Sequence, residues 1–289
     1  MTLVQRTEAD RPTAEAIYDA EEARRARARR TESIARWLLP LLVVVGTILS
    51  WQWLVTANEI PHYILPGPFR VWEQLVTDWD LLRAALWVTL RITVMALGVA
   101  VIGGVLLAVL FDQSRFAELI FYPYAVILQV TPIVSIAPLI FIYVQEPTAR
   151  VLICAWIVAF FPILSNTTLG LKSTDHNLSD LFTIYGASRW QRLIFLKLPS
   201  ALPYFLGGLR IAGGLALIGA IVAEYVVGTG GAGSGLAFRI LEASYRLNIP
   251  RMFAALILIG VVGVAIYALT AILSWFLLRK WHESAVSRE

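Results

Sequence analysis

An all-α membrane protein with about six transmembrane helices is the fold class that the sequence predicts. Hydrophobic residues make up 58% of the 289 and charged residues 15%, with a mean hydropathy of +0.71, far from the balance of a soluble domain. Long charge-free runs recur along the chain, each near or above the roughly 20 residues that cross about 30 Å of hydrocarbon. Basic residues gather in alternate connecting segments, as expected of a chain that threads a bilayer repeatedly.

Taken in order, residues 1–36 are rich in Ala, Glu and Arg and predict a polar N-terminal helix on the cytoplasmic side, with i,i+4 pairs such as Glu21 with Arg25. The first apolar run, 37–58, begins too far from Met1 for a cleavable signal peptide, so it is expected to remain as an anchor. It belongs to a section, 37–84, that continues through a Pro-rich turn into a short amphipathic outer helix carrying Trp72 and Trp79, residues suited to headgroup depth. The core section, 85–282, holds the runs 92–111, 119–145, 151–171, about 203–227, and 252–278; residues 283–289 are a C-terminal tail. The single cysteine, Cys154, excludes an internal disulfide and a CxxC metal site and packs as a small apolar residue.

With the N-terminus inside, sixteen of the 24 basic residues face the cytoplasm, including eight Arg before position 37. The balance favours six spans with both termini cytoplasmic. It also places the connection 172–200 in the cytoplasm. There Leu178, Leu181, Phe182 and Tyr185 fall at i, i+3, i+4 and i+7 and form one apolar face of a short helix. Gly186 stops that helix, Ser188 and Gln191 have the spacing of a capping box, and Pro199 and Pro203 mark the entry to the next span. The apolar face is too short for strong membrane attachment, so the segment reads as a protein-docking element.

These residues also carry a resemblance. Gly186, nine residues, Leu196, one residue, then Leu198 and Pro199 reproduce the spacing of the cytoplasmic loop motif of ATP-binding-cassette importer permeases. The acidic start of that motif falls on Asp180, and its two small positions are occupied by Leu181 and Phe182, a departure tolerated in the nitrate, sulfonate and taurine branch. The stretches "YGASRWQ", "LPSALPYFLGGLRIAGGLALIGAIVAEYV" and "TPIVSIAPL" are similar to that branch as well. The resemblance implies the type I importer permease (MetI-like) architecture, with Asp180, Leu181, Phe182, Tyr185, Gly186, Ala187, Leu196, Leu198 and Pro199 in the loop that couples to the ATPase. It implies a permease homodimer, a dimer of ABC ATPase subunits that binds ATP and Mg, an extracytoplasmic substrate-binding protein, and a bacterial inner-membrane location. No cofactor is expected in this chain, and no nucleic acid among its partners.

The residues agree with that division of labour. No GxxxxGK[ST] loop occurs, and the glycine-dense segment 228–235 lacks the lysine that would reach phosphates, so the chain is not expected to be an enzyme. That segment reads as an outer loop, either a plain connection or a contact for the binding protein. Candidates for the solute path are polar or helix-breaking groups inside spans: Gln129, Thr131, Pro132 and Ser135 in the third, Asn166 in the fourth, Glu224 in the fifth. Pro132 and Pro138 predict a kinked third span. The alternatives are local: Thr131 and Ser135 bonding back to their own helix, and Asn166 serving helix packing. Glu224 lies fourteen residues past Arg210, about 21 Å along a helix. With Arg210 at the inner headgroups, Glu224 lies toward the outer leaflet, as a solute contact or as the partner of an outer Arg such as Arg91. His62, His176 and His282 have no second ligand at metal spacing, so no metal site is expected.

The expected function is translocation of a small anionic or zwitterionic solute of the nitrate, sulfonate or taurine kind; the alternative is a pyrimidine-like or flavin-like vitamin precursor. An ion-coupled secondary transporter fits less well, because only one acid lies well inside a span and no half-to-half repeat is evident. An intramembrane enzyme would need a nucleophile with a base or a metal motif, and neither is present.

Overall fold

A computed structural model of the chain describes residues 14–227 and 233–279. Two compact units divide it: one is built on the first helix and the turn after it, the other runs from residue 70 onward and includes 62–64.

In the first unit, helix α1 spans Ala14–Ala57 as one element of 44 residues. No helix break separates the polar N-terminal part from the apolar run, because Ala, Glu and Arg are good helix formers and no Gly or Asn intervenes to stop them. Leu38–Ala57 is the part long and apolar enough to span a bilayer. The Glu21 to Arg25 pairing concerns side chains outside the described residues, as do the tail 283–289 and His282.

Helix α2, Pro68–Thr77, is amphipathic: Val71 is buried and Trp72 is exposed. It ends before Trp79, which instead opens α3, Trp79–Gln113, a helix of 35 residues that takes in Arg83 and Arg91 along with the expected 92–111 run. Ser114 then caps α4, Arg115–Val130, by accepting a bond from the Ala117 N–H at 3.3 Å.

The third span departs most from expectation. It is two helices, α4 and α5, Ile133–Tyr143, bent by 105° at the break. Pro132 supplies no N–H, and its ring forces Thr131 out of the helical region to φ −75°, ψ 123°. With Pro132 itself at ψ 120°, two consecutive extended residues make a corner and not a kink.

Glu146 caps α6, Pro147–Lys172. Helices α7, His176–Ile184, and α8, Arg189–Arg192, follow, and a π-helical turn, Leu193–Lys197, leads into α9, Leu198–Val227. After the segment 228–232, which lies outside the described residues, come α10, Leu236–Tyr245, and α11, Ile249–Leu278. Among the described residues five helices could each cross a bilayer, or six crossings if α4 and α5 count as one.

The second unit is organised on α6, which packs between α3 and α9. The α6 to α9 seam is close because glycine faces backbone across it: a Cβ at Gly219 would lie 2.8 Å from Ala155 Cα, and one at Gly208 would lie 2.7 Å from the Pro162 carbonyl. Cys154 is buried here as a small apolar residue, as expected.

Ion pairs mark the two ends of this bundle. At one end the Arg251 guanidinium, in the first turn of α11, donates to both Asp78 oxygens at 2.5 and 3.0 Å. At the other, Lys197 pairs with the buried Asp112 at 2.6 Å and Lys172 pairs with Glu118. Arg210 belongs to neither end. Because α9 begins at Leu198, Arg210 is an interior residue of that helix, which corrects its expected place at the inner headgroups.

Candidate functional site

The segment between α6 and α9 forms the helix, turn and helix expected of it. Asp175 caps α7 by accepting the Asn177 N–H at 2.7 Å. The chain reverses at Gly186, whose φ is +68°. The Gly186 N–H reaches the Thr183 carbonyl at 3.0 Å and the Ala187 N–H the Phe182 carbonyl at 2.9 Å, so both orphan carbonyls of the helix end are satisfied. The capping box is complete: the Gln191 N–H donates to Ser188 Oγ at 3.3 Å and the Ser188 N–H to Gln191 Oε1 at 2.7 Å. An open concavity of about 420 Å³ lies between the helices, lined by Leu181, Phe182, Tyr185, Gly186, Ala187, Gln191 and Phe195.

The motif residues divide into two groups. Asp180, Leu181, Tyr185 and Gly186 are exposed, with Phe182 and Ala187 partly so, whereas Leu196 is buried and Leu198 packs against the core. Pro199 stands in the first turn of α9. The first group is a presented surface and the second an anchor, fastened by Lys197 to Asp112 on α3. Ile184, Trp190 and Phe195 also belong to the exposed apolar surface; Ile184 and Tyr185 are each 81% exposed. Sequence periodicity missed these three because they lie off the face that the i, i+3, i+4 pattern defines.

Glu224 lies at the other end of the bundle, 5% exposed. Its carboxylate accepts the Thr89 hydroxyl, at 2.8 and 3.0 Å to its two oxygens, and the Ala237 N–H at 3.2 Å; Thr89 in turn accepts the Leu236 N–H at 2.9 Å. Two residues from other helices thus cap the N-terminus of α10, whose own cap position is Gly235. A Cβ at Gly235 would collide with the Glu224 carboxylate. The alternative, an ion pair with Arg91, does not form: the Thr89 hydroxyl and the Ala237 amide already bond the carboxylate, and Arg91 lines the same cavity as Glu224 without reaching it. That cavity, about 320 Å³, is lined by Arg91, Glu146, Thr148, Glu224 and Ser234 among apolar residues such as Trp87 and Phe238. The backbone N–H of Ala149, with Thr148, holds the Glu146 carboxyl below its usual range. Thr89 and Gly235 carried no signal of this role in the sequence, since Thr89 stands 135 residues from its partner acid.

The corner of the third span brings together a different set. Gln129, Thr131 and Pro132 line a cavity of about 330 Å³ with Ile157, Val158 and Pro162 of α6 and Leu215 of α9. The Thr131 hydroxyl donates to the Ile127 carbonyl at 2.6 Å, within its own helix. Ser135 is exposed and outside this cavity. The Asn166 amide donates to the Pro162 carbonyl at 2.8 Å and its Cβ faces Gly208, which places it in the α6 to α9 seam. The path candidates therefore occupy three separate places. Among the described residues no cluster of His, Cys, Asp or Glu could hold a metal ion.

The fold is that of a multi-pass helical membrane protein that presents a capped helix, turn and helix outside its bundle. Over residues 81–283 the chain matches the family described as "Binding-protein-dependent transport system inner membrane component", and it belongs to that family. It is 34% identical to a probable ABC transporter permease protein of Haemophilus influenzae, over 80% of this chain and 93% of that one. It is 33% identical to the riboflavin transport system permease protein RibX of Chloroflexus aurantiacus, over 88% and 96%. The formylaminopyrimidine transport permease protein ThiX of Halalkalibacterium halodurans is 32% identical, over 80% and 91%. A crystal structure of an amino acid ABC transporter has the same fold, with a TM-score of 0.58 at 18% identity, covering 71% of this chain and 96% of that one. The chain is a permease subunit of an ATP-binding-cassette importer.

Proposed function

We propose that two copies of this chain form the path of an importer for a small anionic or zwitterionic solute, with α7 and α8 of each copy seated on an ATPase subunit in the cytoplasm. ATP and Mg bind to those subunits and not to this chain. The observation that carries the reading is the exposed apolar surface on either side of Gly186, rigid by its caps and anchored to α3, which leaves water only by meeting a protein. Both termini are then cytoplasmic and the cavity around Glu224 faces the outside, where a binding protein delivers solute. ATP binding draws the two docked segments together and shifts the dimer toward outward access; hydrolysis returns it. Gln129, Thr131, Pro132 and Glu224 stand beside cavities a solute would meet. Asn166 is a packing residue in this reading, and Ser135 lies outside these cavities.

The test is reconstitution with the ATPase subunits in vesicles: the wild-type chain supports uptake and solute-stimulated ATP hydrolysis, and Gly186→Asp inserts but supports neither. Normal uptake by Gly186→Asp overturns the docking assignment. Identity favours a second reading of the cargo. The relatives named for riboflavin and formylaminopyrimidine are 33% and 32% identical to this chain, those named for nitrate and aliphatic sulfonates 26% and 27%. Ligand binding measured on the partner binding protein decides between an oxyanion and a vitamin precursor.

A further inference from the structure

Among the described residues Arg210 is a charge without a counter-charge. It lies thirteen residues past Lys197, whose ion pair marks one end of the bundle, and fourteen before Glu224 near the other, hence about 20 Å from each. An arginine side chain is much shorter than that rise, so Arg210 does not reach headgroup phosphates by snorkelling. Its Nε is fully buried with no hydrogen-bond partner, and its guanidinium stands 5.4 Å from the centre of the Tyr267 ring on α11. Several basic residues near the bundle ends have acids: Lys197 has Asp112, Lys172 has Glu118, Arg251 has Asp78, and Arg246 has Glu242.

A second copy of the chain does not supply the missing acid. In the described spanning helices the acids are Asp80, Asp112, Glu118 and Glu224, all in end turns, and none lies at the depth of Arg210. An intramembrane cation kept without a carboxylate points to an anion that comes and goes. The surroundings suit that use. Gly207 and Gly214, at i−3 and i+4, flank Arg210 on α9, and a Cβ at either would meet open space, so a small group has room to approach. The aromatic ring holds the cation by its π face without consuming N–H donors, which leaves the planar fork for an oxyanion.

We propose that Arg210, held by Tyr267, is the anion-recognition point of the translocation path and takes the carboxylate, sulfonate or comparable oxyanion group of the solute in passage. This rests on the importer reading above and narrows its cargo to solutes that carry such a group. The test is the rate at which phenylglyoxal modifies Arg210, read by mass spectrometry on the full-length wild-type chain in phosphatidylcholine vesicles at constant ionic strength set with chloride. Methanesulfonate, acetate and nitrate are the probes; dimethyl sulfone and acetamide are their neutral counterparts. The oxyanions are expected to slow modification of Arg210 several-fold while the neutral compounds do not, and the exposed Arg246 is unaffected by any of them. Equal rates with and without oxyanions overturn the proposal, as does an Arg210 that never reacts. Protection that appears on adding phosphatidylglycerol alone, and that oxyanions do not add to, makes the ligand a lipid headgroup and also overturns it. If protection fails while Gly186→Asp still uncouples transport, the importer reading stands without this site; if protection is seen but Gly186→Asp transports normally, the docking assignment falls and the anion site stands.

Discussion

Gly186 shows how one backbone angle is tied to function. At φ +68° a residue with a Cβ costs roughly 1–2 kcal/mol, and because the space around Gly186 is open, that cost is conformational and not a clash. Gly186→Leu is therefore expected to abolish solute-stimulated ATP hydrolysis in the reconstituted complex, while Gly186→Asn, whose side chain tolerates the left-handed region, retains most of it; Gly186→Asp tolerates the angle as well and uncouples by placing a carboxylate on the apolar surface. Equal activity in both variants would show that the turn geometry is irrelevant to coupling. Glu224 is a different case, because its acid was visible as the only carboxylate well inside an apolar run but its partners were not. Glu224→Gln keeps an oxygen to accept one of its bonds and is expected to preserve assembly while lowering vesicle uptake several-fold. Unchanged uptake would leave Glu224 as the cap of α10 and nothing more.

Helix boundaries followed local chemistry closely where caps and prolines were present and poorly where only hydropathy was available. The capping box at Ser188 and the stop at Gly186 were both legible, since each depends on residues three to six apart. The end of α3 near Trp79 was not, because the charged residues there suggest a surface loop until Asp78 is seen to be held by Arg251, 173 residues away. Burial alone would raise the Asp78 carboxyl, but hydrogen bonds from Arg251 and Gln74 and the Arg251 charge more than reverse this and hold it below the usual range. A depressed acid adds stability that is present above its unfolded value, about 3.9, and is lost as pH falls through the lower folded one. The thermal midpoint of the purified chain is thus expected to drop below about pH 4, and to drop less in Asp78→Asn. Because the pair is only partly buried, that variant should lose on the order of 1–2 kcal/mol at pH 7, short of the cost of breaking a fully buried pair.

The two ends of the bundle in the second unit differ in what they expose. One end carries the exposed helices α7 and α8, the other the cavity beside α10. Cysteines placed at the exposed Asn177 and Tyr245 in a Cys154→Ala background are expected to react with an impermeant reagent from opposite sides of the membrane. Reaction of both from the same side would remove the two-sided arrangement on which the importer reading depends. The broken third span belongs to this level too. Pro132 announced a break, but its 105° angle arises only when α5 turns to pack on α6 and α9 and leaves Gln129 and Thr131 beside a cavity.

The amino-acid sequence by itself determined the membrane class, the apolar runs, the helix caps and the helix, turn and helix around Gly186, because each depends on composition or on residues within a few turns of one another. Tertiary structure decided which polar groups meet. Thr89 with Glu224, Asp112 with Lys197 and Arg251 with Asp78 are pairs whose members sit on different helices, and no local pattern encodes them. The same holds for the absence of a partner: Arg210 read as a residue near a membrane surface until α9 was seen to begin at Leu198, which carries its charge into the interior and opposite Tyr267.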